Sequence, residues 1–192
     1  MRRRLFKNLL RAPCTEPAGA ARRQGLEAMG ERLRGALAAR LGRSLAIREV
    51  DAGSCNGCEL EIHALGNAFY DLERFGMRFV ASPRHADVLL VTGPVTLNMR
   101  DALERTYAAA PAPKWVIAAG DCAAGCGVFA RSYACLGAVA KVLPVHLVIR
   151  GCPPTPLELI EGLLWLLEQA DAQAPTALGT LTAQPSTSLS RK

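Results

Sequence analysis

The alternation of short apolar runs with helical stretches constrains the fold of this chain most strongly. The apolar runs predict five strands, at residues 45–50, 77–82, 88–92, 115–119 and 145–149. Apolar residues spaced by three or four predict helices at residues 59–75, 97–109 and 156–169, and Thr155 is placed to cap the last of these. Strands that alternate with helices are typical of βαβ units, so the sequence predicts an α/β fold with a doubly wound, mostly parallel sheet.

The length and composition favour one folded domain with polar ends. Half of the 192 residues are hydrophobic and 21% are charged, which excludes a disordered or low-complexity chain. We expect a basic N-terminal arm at residues 1–24, an amphipathic helix at residues 25–44, the α/β domain at residues 45–170 and a disordered tail at residues 171–192.

Positive charge is concentrated in the N-terminal part of the chain. Residues 1–50 carry twelve Lys or Arg and four Asp or Glu, a net charge of +8, whereas residues 51–192 carry a net charge of −2. Because the body has no basic face interleaved with aromatic residues, we predict no nucleic-acid binding. No apolar run reaches the roughly 18–20 residues of a membrane span, and no apolar signal region follows the basic residues 2–7, so we expect a cytoplasmic chain.

Cysteines follow three of the predicted strands. The seven cysteines are Cys14, Cys55, Cys58, Cys122, Cys126, Cys135 and Cys152. One pair follows the first strand, a second pair follows the strand at 115–119, and Cys152 follows the strand at 145–149. Because the carboxyl ends of parallel strands meet at the same edge of a sheet, we expect these thiols to converge.

The arrangement of these cysteines favours metal chemistry over disulfides. The absence of a secretory signal and the odd cysteine count argue against disulfides. A Cys-x-x-Cys at a helix N-terminus suits a thiol oxidoreductase, but this leaves Cys122 and Cys152 unexplained. Structural zinc usually takes two local pairs of ligands, whereas four-thiolate iron–sulfur ligation tolerates the wide spacing found here. The spacing favours an iron–sulfur site and leaves zinc and thiol redox chemistry open.

Small and acidic residues surround these thiols. Five glycines in the same loops would permit positive φ and a close approach of backbone N–H groups to a bulky anion; they are Gly53, Gly57, Gly120, Gly125 and Gly127. Glu59 begins a predicted helix, where the helix dipole favours a carboxylate; alternatively it hydrogen-bonds near the site or aids proton movement. We expect Cys14 and Cys135 not to be ligands.

Three motifs in order resemble a known family. They are the stretch at residues 49–62, which contains Cys55-Asn56-Gly57-Cys58, then Gly120-Asp121-Cys122-Ala123 and Gly151-Cys152-Pro153-Pro154. Together they resemble the small-subunit family shared by nickel–iron hydrogenases and respiratory complex I, over about residues 45–168. Within it, the chain is most similar to the small subunits of formate hydrogenlyase and hydrogenase-4 type complexes.

The resemblance implies a flavodoxin-like domain that binds one 4Fe-4S cluster at the carboxyl ends of its strands. The implied cluster ligands are Cys55, Cys58, Cys122 and Cys152, with Gly57, Gly120 and Glu59 beside them, and the chain itself carries no catalytic residue. Its implied role is electron relay between the nickel–iron centre of a large catalytic subunit and a ferredoxin-like iron–sulfur subunit. Membrane subunits would complete the complex, which places the chain peripherally at the cytoplasmic face of the inner membrane.

Two sequence details bear on the branch of the family. Complex I members carry adjacent cysteines in the first motif, while this chain has Cys-Asn-Gly-Cys, as hydrogenases do. A complex I-like oxidoreductase without nickel is the alternative within the family, and a zinc-stabilised interaction module is the alternative from another class. Cys126 occupies a position where relatives usually have glycine, and we expect it to pack in its loop while Cys122 serves as the ligand.

Overall fold

A five-stranded parallel sheet forms the centre of the computed structural model, which describes residues 20–169. The strands are β1 (Leu45–Asp51), β2 (Met77–Phe79), β3 (Val88–Thr92), β4 (Val95–Thr96), β5 (Trp115–Ala119), β6 (Cys135–Gly137) and β7 (Leu147–Ile149). The sheet has the order β2-β1-β3-β5-β7, and every neighbouring pair is parallel. This is the flavodoxin-like strand order, so the predicted α/β fold with a parallel sheet is confirmed.

Helices cover both faces of the sheet. They are α1 (Ala20–Arg40), α2 (Gly57–Ala64), α3 (Arg100–Ala109) and α4 (Pro156–Gln169). Leu33 of α1, Ile62 of α2 and Leu163 of α4 share one buried core with alternate strand residues. Leu103 of α3 belongs to a second core on the opposite face. Because both faces are covered, all five residues of β3 are buried, and this explains its continuous apolar sequence.

Helix α4 has the boundaries that its sequence predicts. The Thr155 hydroxyl accepts from the Glu158 backbone N–H at 3.4 Å, and the Glu158 carboxylate accepts from the Thr155 backbone N–H at 2.7 Å. This reciprocal capping box confirms Thr155 as the cap. At Gly162 an added Cβ would lie 2.5 Å from Cδ1 of Ile149, so α4 packs closely on β7 only because this position lacks a side chain.

The helix predicted at residues 59–75 is wrong in length. Helix α2 ends at Ala64, and a short 3-10 turn follows at Leu72–Phe75. The Asn67 carboxamide accepts backbone N–H groups of Phe69 and Tyr70 at 2.8 and 3.0 Å. Asparagine competes with helical hydrogen bonding in this way, and the chain turns instead of continuing the helix.

The other differences lie at the ends of elements. Helix α1 begins at Ala20 and ends at Arg40, against a prediction of 25–44. Helix α3 begins at Arg100, against a prediction of 97, because residues 97–99 form a turn after β4. The observed strands β2 and β7 are shorter than predicted. The antiparallel pair β4–β6 was not predicted, because strands of two and three residues carry no recognisable period.

Some sequence predictions lie outside the described residues. These include Cys14, most of the basic arm and the tail predicted at residues 171–192. Across residues 20–169, none of the helices has the length and apolarity needed to cross a bilayer.

Candidate metal centre

The loop after β1 is bent across the end of its neighbour β3. The Asp51 carboxylate accepts the backbone N–H groups of Gly53 and Ser54, both at 2.7 Å, and this turns the chain directly after the strand. At the end of β3, a Cβ on Gly93 would lie 2.5 Å from the backbone nitrogen of Ser54. The loop that carries Cys55 and Cys58 therefore lies against the end of β3, the strand that separates β1 from β5.

The loops after β5 and β7 are joined to each other. The backbone N–H of Gly120 donates to the Ile149 carbonyl, and the backbone N–H of Asp121 donates to the Gly151 carbonyl, both at 2.8 Å. Gly120 and Gly151 have φ values of 93° and 136°, which lie in the region that favours glycine. These hydrogen bonds extend the β5–β7 pairing beyond the sheet and bring the two cysteine-bearing loops side by side.

The thiol of Cys58 meets the end of β5. Cys58 is buried at 8% exposure, and a Cβ on Gly120 would lie only 2.7 Å from its Sγ. Cys122 is half-buried, while Cys55 and Cys152 are exposed. The structure thus brings cysteines from different loops to the same edge of the sheet, as the spacing predicts.

The Cys58 thiol lies among other groups that carry negative charge when ionised. Burial is the largest cause of the rise in the pKa of Cys58 to about 12, and negative charge on Glu59, Cys55, Cys122 and Cys152 contributes to the same rise. A thiolate at Cys58 is therefore unfavourable unless a cation compensates it. Any group that these four thiolates hold must supply positive charge.

Backbone N–H groups approach the Cys122 sulfur. Burial raises the pKa of Cys122, as do charges on Cys152 and Cys55, whereas hydrogen bonds from the backbone of Phe129 and Val128 lower it. A Cβ on Gly127 would lie 2.3 Å from the Cys122 Sγ, so only glycine leaves room for the sulfur here. N–H groups directed at cysteine sulfur are a feature of iron–sulfur sites, where they stabilise negative charge on the sulfurs.

Thiols are the donors that the cysteine loops offer to a metal centre. Within residues 20–169, no group of three or more His, Cys, Asp or Glu side chains could hold a metal ion. A single zinc ion requires all its thiolates at about 2.3 Å from one centre. In a four-iron cluster each thiolate binds a different iron, so the thiols lie further apart. Thiols are ligands for both kinds of site, so the zinc alternative stays open beside the cluster.

Glu59 is buried beside Cys58, with 7% exposure. One carboxylate oxygen accepts a hydrogen bond from the Thr92 hydroxyl, and the other, Oε2, is buried without a partner among residues 20–169. Thr92 ends β3 and is fully buried. We did not predict a role for Thr92, although a polar residue at the carboxyl end of an apolar strand is the signal that would identify it.

The glycine predictions are correct in part. Gly53, Gly120 and Gly125 have positive φ, but Gly57 and Gly127 do not. The left-handed residue before α2 is Asn56, with φ 70°, and Gly57 is the first residue of the helix. Asparagine tolerates this conformation better than most residues, which removes the need for glycine at the turn.

The two remaining described cysteines occupy other positions. The Cys126 thiol lies 3.4 Å from the backbone carbonyl of Asp121, and its own N–H donates to the same oxygen at 3.0 Å. Cys135 lies in β6, opposite Thr96 of β4. Cys126 therefore contacts the backbone of its own loop, and its packing role stays a prediction.

Exposed apolar side chains flank the cysteine loops. Leu60, two residues after Cys58, is 62% exposed, and Val128, in the loop after Cys122, is 79% exposed. Phe129 and Tyr133 of the same loop are also exposed. We call Leu60, Val128, Phe129 and Tyr133 the apolar rim. Contiguous exposed apolar surface is typical of sites that bind another macromolecule.

Comparison with known proteins gives one family. The family model "NADH ubiquinone oxidoreductase, 20 Kd subunit" matches residues 55–166. The chain is 43% identical over 157 residues to formate hydrogenlyase subunit 7 of Escherichia coli K12. The matched region is 80% of this chain and 60% of that protein. It is 44% identical over 129 residues to a probable membrane-bound hydrogenase subunit of Pyrococcus furiosus, covering 67% of this chain and 77% of that one.

Two solved structures are similar to this chain. A chain of the membrane-bound sulfane sulfur reductase, an archaeal respiratory membrane complex, matches with a TM-score of 0.60 and 36% identity, over 71% of this chain and 75% of that one. A chain of an NAD+-reducing NiFe-hydrogenase in the H2-reduced state matches with a TM-score of 0.52 and 19% identity, over 69% of this chain and 96% of that one. The second likeness supports the fold alone.

Proposed function

This chain belongs to the 20 kDa subunit family of NADH ubiquinone oxidoreductase, and from that premise we propose that it is an electron-relay subunit of a membrane-associated nickel–iron hydrogenase complex. In this proposal it binds one 4Fe-4S cluster through Cys55, Cys58, Cys122 and Cys152. The observation that carries the proposal is the convergence of the cysteine-bearing segments at one edge of the sheet: Cys58 meets Gly120 at the end of β5, and the loops after β5 and β7 are hydrogen-bonded to each other.

The cluster would supply one-electron transfer. The chain contributes the thiolates and the surroundings that favour them. Gly120 and Gly127 leave space for the sulfurs of Cys58 and Cys122, and the backbone N–H of Phe129 stabilises negative charge at Cys122. These features support a site built around thiolates instead of free thiols.

Glu59 belongs to the proposed site as a positioning residue. Its hydrogen bond from Thr92 fixes the first turn of α2 on the end of β3, and Cys58 lies in the same turn. A Glu59→Gln variant keeps the size and the hydrogen-bonding capacity of this side chain. We expect it to retain the cluster, whereas Glu59→Ala should lose iron more readily because the buried Thr92 hydroxyl then loses its carboxylate partner and keeps the long 3.5 Å hydrogen bond to the Val50 carbonyl.

The proposed partner on the apolar rim is the large catalytic subunit, which would hold the nickel–iron centre. Two relatives are named as subunits of formate hydrogenlyase and of a membrane-bound hydrogenase, and this supports assembly with other subunits. A ferredoxin-like subunit and membrane subunits complete the proposed complex, with this chain peripheral at the cytoplasmic face of the inner membrane.

Rim variants test this docking surface. Val128→Glu places a charge where we propose an apolar contact with the large subunit. A tagged chain with this substitution should therefore co-purify with a smaller amount of the large subunit. Phe79→Glu, on the short strand β2 at the edge of the sheet, is the matched control and should leave recovery unchanged. Equal recovery with both variants would contradict the proposed surface.

A complex I-like oxidoreductase without nickel is the second candidate. It is favoured by the 36% identity to a chain of a complex named as a sulfane sulfur reductase. The two candidates differ in what reduces the cluster. We expect the anaerobically purified complex to contain nickel and to show the EPR signal of a reduced cluster under H2. A signal with dithionite but not with H2, in nickel-free complex, would favour the second candidate.

A further inference from the structure

A charge pair bridges the loops that carry Cys122 and Cys152. The Nε of Arg150 lies 2.8 Å from Oδ1 of Asp121. Asp121 directly precedes Cys122 after β5, and Arg150 precedes Cys152 by two residues after β7. The pair therefore joins two chain segments that each lead into a thiol of the site.

Two further hydrogen bonds reinforce this contact. Oδ1 of Asp121 also accepts the backbone N–H of Gly151 at 3.2 Å, and the Asp121 backbone N–H donates to the Gly151 carbonyl at 2.8 Å. The Asp121 side chain is 28% exposed and that of Arg150 is 55% exposed. Asp121 is thus the inner member of the pair and holds the β7 loop through both its backbone and its carboxylate.

The two charges lie beside the thiols in sequence and have opposite signs. A positive charge near a redox centre favours its reduced form, which carries more negative charge, and a negative charge favours the oxidised form. If the pair acts only as a mechanical link, removing either member should change the reduction potential in the same direction. If its charges also act on the site, removing each member should move the reduction potential in opposite directions.

We propose that Asp121 and Arg150 are positioning residues that hold the Cys122 and Cys152 loops in register. We also propose that their charges shift the reduction potential of the bound cluster in opposite directions. This inference rests on the proposed function, because it needs a cluster at this site. The pair would link the loops of Cys122 and Cys152, the third and fourth proposed ligands in chain order, into one structural unit.

The experiment uses the anaerobically purified complex with Arg150→Gln, Asp121→Asn and the double variant. The readouts are the midpoint potential from an EPR-monitored redox titration and the rate of iron loss to a chelator. Arg150→Gln should lower the potential and Asp121→Asn should raise it. The double variant should return the potential towards that of the unmodified complex, and all three should lose iron about two to five times faster.

Two control variants separate charge from folding. Arg150→Lys keeps the positive charge on the more exposed member, so the potential should stay unchanged. Arg100→Gln breaks a charge pair of the same 2.8 Å length, with Glu104 on α3, and should alter neither readout.

The results distinguish this inference from the proposed function. A complex without an iron–sulfur cluster in the unmodified chain overturns both. A cluster whose potential is unchanged in the variants, or shifts in the same direction in Arg150→Gln and Asp121→Asn, overturns this inference alone.

Discussion

A methyl group added at Gly120 tests whether the close packing at the end of β5 controls the site. In Gly120→Ala the new Cβ would lie 2.7 Å from the Cys58 Sγ, while ordinary contacts begin at 3.4 Å, so the two atoms must separate by about 0.7 Å. Gly120 also has a φ of 93°, and a left-handed conformation costs other residues about 1–2 kcal/mol. Overpacking adds about 1–3 kcal/mol.

Gly42→Ala separates these two effects. Gly42 has a φ of 60° after α1, and an added Cβ there would meet nothing within 4 Å. The Gly42→Ala variant therefore has the conformational cost of about 1–2 kcal/mol without any steric overlap of the new Cβ. We expect both variants to lower the midpoint of chemical denaturation, with the larger decrease for Gly120→Ala.

The decisive assay is iron per chain in the anaerobically purified complex. Because Gly120→Ala displaces the Cys58 thiol, it should reduce the iron content or change the EPR spectrum, whereas Gly42→Ala should retain both. The reasoning is refuted if Gly120→Ala keeps full iron with an unchanged spectrum, or if Gly42→Ala loses as much iron as Gly120→Ala.

Three further predictions concern the fold. Burial raises the pKa of Asp87, but hydrogen bonds from Arg43 and a backbone amide outweigh it and leave the pKa lowered. The ionised Asp87 carboxylate thus stabilises the fold at pH values above its unfolded pKa. Acid titration of the unfolding free energy should show this contribution disappear as the pH falls through the lowered folded-state pKa. The Asp87→Asn variant should lack this pH-dependent loss. Thr155→Ala should cost about 1 kcal/mol by denaturation, because α4 loses its cap. Gly162→Ala should destabilise by about 1–3 kcal/mol through overlap with Ile149; an unchanged denaturation midpoint would contradict that packing.

The sequence predicts the parts of the fold in which local pattern and tertiary packing agree. The strand at Val88–Thr92 was predicted with its observed boundaries because a strand covered on both faces is rich in apolar residues, here four in a row before Thr92. Helix α4 was predicted equally well, since its cap and apolar period coincide. The helix after Cys58 was predicted too long, because apolar residues continue beyond Ala64 and the turn depends on the hydrogen bonds of Asn67.

The candidate site was predictable in its position but not in its contacts. Cysteines after separate strands indicate a common edge, and the structure places the Cys58 thiol at the end of β5 and joins the loops after β5 and β7. The burial of Glu59 against Thr92 and the link between Asp121 and Arg150 depend on how neighbouring loops pack. Such contacts join residues that lie 33 and 29 positions apart, so no local pattern reveals them.

The most direct test of the proposed role is the iron and sulfide content of cysteine variants in the anaerobically purified complex. We predict about four iron and four sulfide per unmodified chain. Each serine variant of Cys55, Cys58, Cys122 and Cys152 should lose or alter the cluster. Cys126→Ser, as the matched control, should keep it. Zinc without iron in the unmodified chain, or a full and unchanged cluster in Cys122→Ser, would contradict the proposed site.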